Sequence, residues 1–131
     1  MRDIDALFTY RLRQADETLL DAERMLDGKF SARSIVNRAY YAMFYSVLAL
    51  LLKFEIRVKT SRHTGALSVF DQEFVHTGRI DRSFSKMLHR VFEARQEVDY
   101  KEFVEFSHDE AKEAVKSAGE FVRAIKALTI A

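Results

Sequence analysis

Residues 32–52 read Ala-Arg-Ser-Ile-Val-Asn-Arg-Ala-Tyr-Tyr-Ala-Met-Phe-Tyr-Ser-Val-Leu-Ala-Leu-Leu-Leu, and this stretch decides the fold. From Ala39 to Leu52 only Ser46 interrupts the apolar run. At 14 residues that run falls short of the roughly 20 that span a bilayer, so it reads as a core helix. A helix apolar nearly all round must be covered on several sides, by its own chain or by a second copy. Ser31 stands where a hydroxyl caps the start of this helix.

The flanking sequence supplies the cover. Upstream, Ile4, Phe8, Leu12, Ala15, Leu19, Ala22 and Leu26 recur at threes and fours, which places them in one stripe of a long helix over 3–27, ended by Gly28. Downstream, Thr60 or Ser61 caps a third helix with Leu67, Phe70 and Phe74 inward and Thr77-Gly78 as its stop. Asp81 caps a fourth, whose Phe84, Leu88, Val91 and Phe92 face the core as far as about Val98. Residues 100–106 are aromatic but lose the helical phase, and read as a packed connector. Ser107-His108-Asp109-Glu110 is a capping box that opens a fifth helix. There Ala111, Ala114, Val115, Ala118, Phe121, Val122, Ile125 and Leu128 form a narrow seam with its small residues first. The sum is an all-α, antiparallel up-and-down bundle of four to five helices, one domain over 1–131.

Composition agrees. The 131 residues are 48% hydrophobic, enough for a sizeable core, and contain no Pro and four Gly, too little turn punctuation for short strands. The absence of Cys excludes a disulfide frame and a thiolate zinc site and suits a reducing cytoplasm. The N-terminus is charged and then amphipathic, unlike a secretory signal, and no membrane association is expected. With 21 basic and 20 acidic side chains, the net charge of +1 excludes bulk basicity as a means of holding a polyanion. Any nucleic-acid contact must be local. Residues 53–95 carry a net +4 and residues 96–131 a net −3, a layout that fits a phosphate-binding face and an acidic partner face as well as an ordinary mixed surface.

Three constellations bear on chemistry. Glu73 and His76, with Glu105 and His108, have the Glu-x-x-His spacing of a di-metal bundle, but the helix that begins near Ser31 has no acidic residue between Phe30 and Phe54. A full ligand set is therefore missing, and neither metal nor other cofactor is expected. A metal-independent ribonuclease can use an Arg to bind phosphate and a nearby His as general acid or base. Arg57 and His63 have five residues between them, and Arg82 and His89 six, the latter pair about 10.5 Å apart along one helix face. Third, Tyr40, Tyr41, Phe44 and Tyr45 supply large apolar area with hydroxyls that demand partners, as core, interface or base-stacking surface. Arg33, Asn37 and Arg38, one turn earlier, offer polar contacts to any such surface.

Taken in order, Ser34-Ile35-Val36-Asn37-Arg38-Ala39-Tyr40-Tyr41-Ala42-Met43-Phe44-Tyr45, His63-Thr64-Gly65, Phe74-Val75-His76-Thr77-Gly78 and Arg95-Gln96-Glu97-Val98-Asp99-Tyr100 resemble the HEPN domain, named for higher eukaryotes and prokaryotes nucleotide-binding. The resemblance covers nearly the whole chain. It implies a helical bundle, usually a homodimer, often paired with a minimal nucleotidyltransferase as toxin and antitoxin. Many members of that family are metal-independent ribonucleases that use an Arg followed, four to six residues later, by a His. Here the matching segment begins at Arg95 and places Tyr100 where such a nuclease has His, with Asp99 beside it. A phenol, whose ordinary pKa is about 10, is a poor general base at neutral pH.

The resemblance and the residues together make Arg95, Asp99, Tyr100, Arg38, Asn37 and His63 the candidate nucleotide- or RNA-binding set, with Arg95 as phosphate ligand, Asp99 orienting it and Tyr100 giving a hydroxyl contact. The expected function is that of a nucleotide- or RNA-binding partner of a minimal nucleotidyltransferase, without efficient nuclease activity. The alternative is a ribonuclease with an altered site that uses His63 or His89.

Overall fold

The computed structural model describes residues 3–58, 63–100 and 105–130, and every regular element among them is helical. In chain order these are α1 (Asp3–Asp27), α2 (Ala32–Lys53), α3 (His63–Phe70), α4 (Arg82–Tyr100) and α5 (His108–Ile130), with a π-helical segment, Asp71–Val75, continuing α3. The expected all-α bundle is what forms.

The central element is α2, which packs against α1, α3, α4 and α5. Ile35, Ala39, Tyr40, Met43, Val47 and Leu50 on it are fully buried. The helix runs for 22 residues, longer than its apolar run, and by length and composition alone it passes as a membrane span. Its neighbours settle the matter, since most of that surface is covered by the rest of the chain and serves as core. The small residues of α5 do as their pattern predicts. Ala111 and Ala118 are fully buried beside Phe121 and Ile125, so that α5 lies close to α2.

Capping explains the helix starts. The Ser31 hydroxyl accepts from the Ser34 amide at 3.2 Å, and the Asp81 carboxylate accepts from the Ser83 amide at 3.0 Å. In the capping box Ser107 Oγ accepts from the Glu110 amide and Glu110 Oε1 from the Ser107 amide, each at 3.1 Å. The proposed cap of α3 at Thr60 or Ser61 lies outside the described residues. At the end of α1 the left-handed residue is Lys29, at φ 56°, one position beyond the expected Gly28. The Lys29 amide donates to the Leu26 carbonyl and the Phe30 amide to that of Met25, which makes this a Schellman turn; Glu55, at φ 55°, closes α2 in the same way.

The third helix departs from expectation. Leu67, Phe70 and Phe74 point inward as predicted, but the backbone widens after Phe70, with the His76 amide donating to the Asp71 carbonyl at 2.8 Å. The cause lies on both sides of the segment. Phe74 is fully buried against Phe70 and Phe54, while Asp71 reaches α4, where Ser85 Oγ donates to it at 2.7 Å and His89 Nε2 lies 2.6 Å away. The extra residue in the turn lets both anchors hold. The fourth helix continues through Tyr100, so the connector begins later than its sequence suggested.

Candidate functional site

Where the first half of α2, the start of α3 and the last turns of α4 meet, aromatic rings form a floor. Tyr40 is wholly buried and Phe44 is buried, whereas Tyr41 and Tyr45 are half-buried. The cluster is thus part core and part surface. Helical spacing on α2 places Tyr40 beside Phe44, with centroids 5.9 Å apart, and Tyr41 beside Tyr45, at 5.8 Å. The first residue of α3 completes the floor. The His63 imidazole stacks on Phe44 with centroids 4.1 Å apart and planes 17° off parallel, and it meets Tyr41 edge-on at 5.6 Å.

Arg95 of α4 lies over this floor. Its guanidinium carbon is 5.3 Å from the Tyr40 ring centroid and 5.1 Å from that of Tyr41. Arg38 approaches the Tyr41 ring as well, at 5.2 Å. Asn37 Oδ1 accepts from Arg38 Nε at 3.2 Å and from Nη2 at 2.9 Å, which fixes the plane of that guanidinium. Asp99, one helical turn after Arg95, brings Oδ2 to 3.2 Å from Arg95 Nε. The contact is close enough for charge attraction but out of line for a hydrogen bond, so the buried Nε–H donor has no aligned acceptor among the described residues. With 18% of its side chain exposed, Arg95 is a cation held at the edge of an apolar floor.

Beside it opens a recess of about 400 Å³, lined by Met25, Arg33, Ser34, Asn37, Arg38 and Asp99. Of the residues singled out from the sequence, the structure therefore gathers Asn37, Arg38 and Asp99 around one recess, sets Arg95 against Asp99 beside it, and places His63 on the floor beneath Arg95. Tyr100 is the last residue of α4, and its side chain lies outside what the structure describes. The Arg82 and His89 pairing gives way to another, because the His89 imidazole is tied to Asp71. Likewise His63 engages Tyr40, not Arg57, with the phenol oxygen 2.8 Å from Nδ1.

Tyr40 and Tyr41 are site residues that the sequence had marked only as members of an aromatic cluster. Their partners are remote in sequence, 23 positions away in the case of His63, so no local spacing announced them. The surroundings also shape their titration. Burial pushes the Tyr40 phenol far above its ordinary range, with Arg95 only partly opposing, and burial followed by the charge of Arg95 holds His63 below the ordinary imidazole range. With His63 held toward its neutral form, the cations at the floor are arginines, an arrangement that offers ring faces to a base and guanidinium donors to a phosphate.

Comparison with known proteins adds ancestry to geometry. The HEPN domain family model matches residues 8–128. A UPF0332 protein of Thermotoga maritima is 39% identical over 128 residues, which span 98% of this chain and 95% of the relative. A UPF0332 protein of Archaeoglobus fulgidus is 34% identical across 88% of this chain and 90% of its own length. The Methanocaldococcus jannaschii protein named "Putative toxin MJ0142" is 34% identical across 77% of this chain and 67% of its own.

Proposed function

This chain belongs to the HEPN domain family, and from that premise we propose that it is the RNA- or nucleotide-binding member of a toxin–antitoxin pair, without efficient nuclease activity of its own. The observation that carries the reading is Arg95. A guanidinium laid over two phenol rings, with the Asp99 carboxylate at its Nε and 18% of the side chain still exposed, is a cation held in place for an incoming phosphate oxygen. Arg38, held in plane by Asn37, lines the neighbouring recess and supplies a second guanidinium at Tyr41, whose half-buried face suits a base. The toxin name carried by the Methanocaldococcus relative supports the biological setting.

Binding is favoured over cleavage because neither candidate histidine meets the arginine that the sequence offered as its partner: His63 bonds Tyr40 through Nδ1, and His89 bonds Asp71 through Nε2. The family resemblance further supports a cytoplasmic homodimer acting with a minimal nucleotidyltransferase. The test is binding of a fluorescein-labelled single-stranded oligoribonucleotide and of ATP, alongside an RNA cleavage assay. Arg95→Ala is expected to weaken binding by about tenfold or more, as loss of a charge-assisted hydrogen bond would, with helicity unchanged. Undiminished binding would refute the role of Arg95. Efficient cleavage by the wild type would establish the ribonuclease alternative instead. Co-purification with a co-expressed minimal nucleotidyltransferase tests the pairing, and failure to associate would refute it.

A further inference from the structure

Tyr40 is closed off from solvent, so the proton of its hydroxyl must be given to an atom of the protein. Among the described residues the acceptor in reach is Nδ1 of His63, 2.8 Å away. Were the imidazole proton on Nδ1, that N–H would donate to the phenol oxygen, and the phenol's own proton would be buried without an acceptor. The opposite arrangement satisfies both groups. Tyr40 donates, Nδ1 accepts, and the imidazole proton resides on Nε2, which has no partner among the described residues. Rotation of the ring is opposed by the stack on Phe44 at 4.1 Å and the edge contact with Tyr41 at 5.6 Å.

We infer that His63 meets a bound phosphate as a neutral donor through Nε2–H, in a tautomer set by Tyr40, and that it is not a base while that hydrogen bond stands. The inference rests on the binding reading of the Arg95 cleft and names a third donor for it, after Arg95 and Arg38. Tyr40 is then a positioning residue, acting through His63. The charged and titratable groups facing the imidazole agree with a neutral ring: Tyr40 and Tyr41 from α2, and from α4 the Arg95 guanidinium, with Asp99 on its Nε. The lowered titration range of His63 has the same direction.

Imidazole ¹⁵N chemical shifts read the tautomer directly. In the wild type near neutral pH they are expected to report protonated Nε2 and bare Nδ1. Tyr40→Phe keeps the ring and removes the donor; the shifts should move toward a mixture of tautomers, and the His63 titration midpoint should rise because the neutral form has lost a hydrogen bond. A protonated Nδ1 or a charged ring in the wild type overturns the tautomer. The donor role is read by affinity for the labelled oligoribonucleotide. His63→Gln, whose side-chain amide offers an N–H in place of Nε2–H, should bind within about twofold of wild type, whereas His63→Leu should bind roughly threefold to tenfold more weakly, the worth of one net hydrogen bond. Equal affinity of the Leu variant and wild type overturns the donor role. If Arg95→Ala also binds as wild type does, the cleft reading itself has failed, and the ¹⁵N shifts still decide the tautomer.

Discussion

His63 refuses a proton in the folded chain more readily than in the unfolded one, and this difference ties stability to pH. Burial and Arg95 depress its titration in the fold, whereas in the unfolded chain an imidazole titrates near 6.5. Above about that pH the contribution of neutral His63 is fully present; as the pH falls below it, the unfolded state gains a proton that the folded state takes up only at lower pH, and the contribution is lost. Urea midpoints measured at about pH 7.5 and about pH 5.5 should therefore fall further for wild type than for His63→Gln. Equal falls would assign the acid sensitivity to other groups. At this scale the sequence was informative about which side chains matter and silent about their partners. Asn37 and Arg38 stood out one turn before an aromatic cluster, Arg95 and Asp99 through the resemblance of their segment to the HEPN domain, and the two pairs meet because α2 and α4 pack together. The bond from Tyr40 to His63 spans a loop and depends on where α3 begins, which no pattern in either segment specifies.

Among the elements, the starts of α2, α4 and α5 were the most legible part, since each of these is fixed by a side chain within three residues of the amide it serves: Ser31, Asp81 and the Ser107–Glu110 pair. Helix ends were less so. Gly28 drew attention as a stop, yet the left-handed φ falls on Lys29, a residue whose Cβ is strained there. Lys29→Gly should accordingly stabilise the fold by about 0.5–1 kcal/mol, observable as a raised urea midpoint with unchanged slope, since relief of that strain exceeds the entropy that glycine adds to the unfolded chain. A lowered midpoint would mean that the lysine side chain contributes more than its backbone costs. The π-helical turn was not legible at all. Five residues carry no readable periodicity, and what widens the backbone there is a conflict settled by tertiary contacts, Phe74 in the core against Asp71 on α4.

For the molecule as a whole, α2 is covered mostly by its own chain, and part of its apolar surface stays accessible. Tyr41, Tyr45, Leu48 and Leu52 remain half-buried, and the last two also line a groove of about 610 Å³ shared with Ile4 and Leu7 of α1. Sedimentation at micromolar concentration should give the mass of a dimer, and Leu52→Lys should shift it toward monomer with the helical circular dichroism retained. A wild-type monomer would remove the dimer from the proposed function. The π-helical turn has its own bearing on the whole molecule, and it concerns phase. That turn accommodates one more residue than an α-helical turn would, and each residue of an α-helix advances the chain by about 100°. Deleting the exposed Gln72 would leave the composition of the core untouched and the helix more regular, yet it would swing everything before Asp71 by that angle relative to Phe74. His63 would then face away from Phe44. The length of this segment thus sets a dial: a single-codon deletion here would carry Leu67 and Phe70 off their places in the core together with His63 off the floor, so the number of residues between Phe70 and Phe74, and not only the identity of Asp71, couples the core to the cleft.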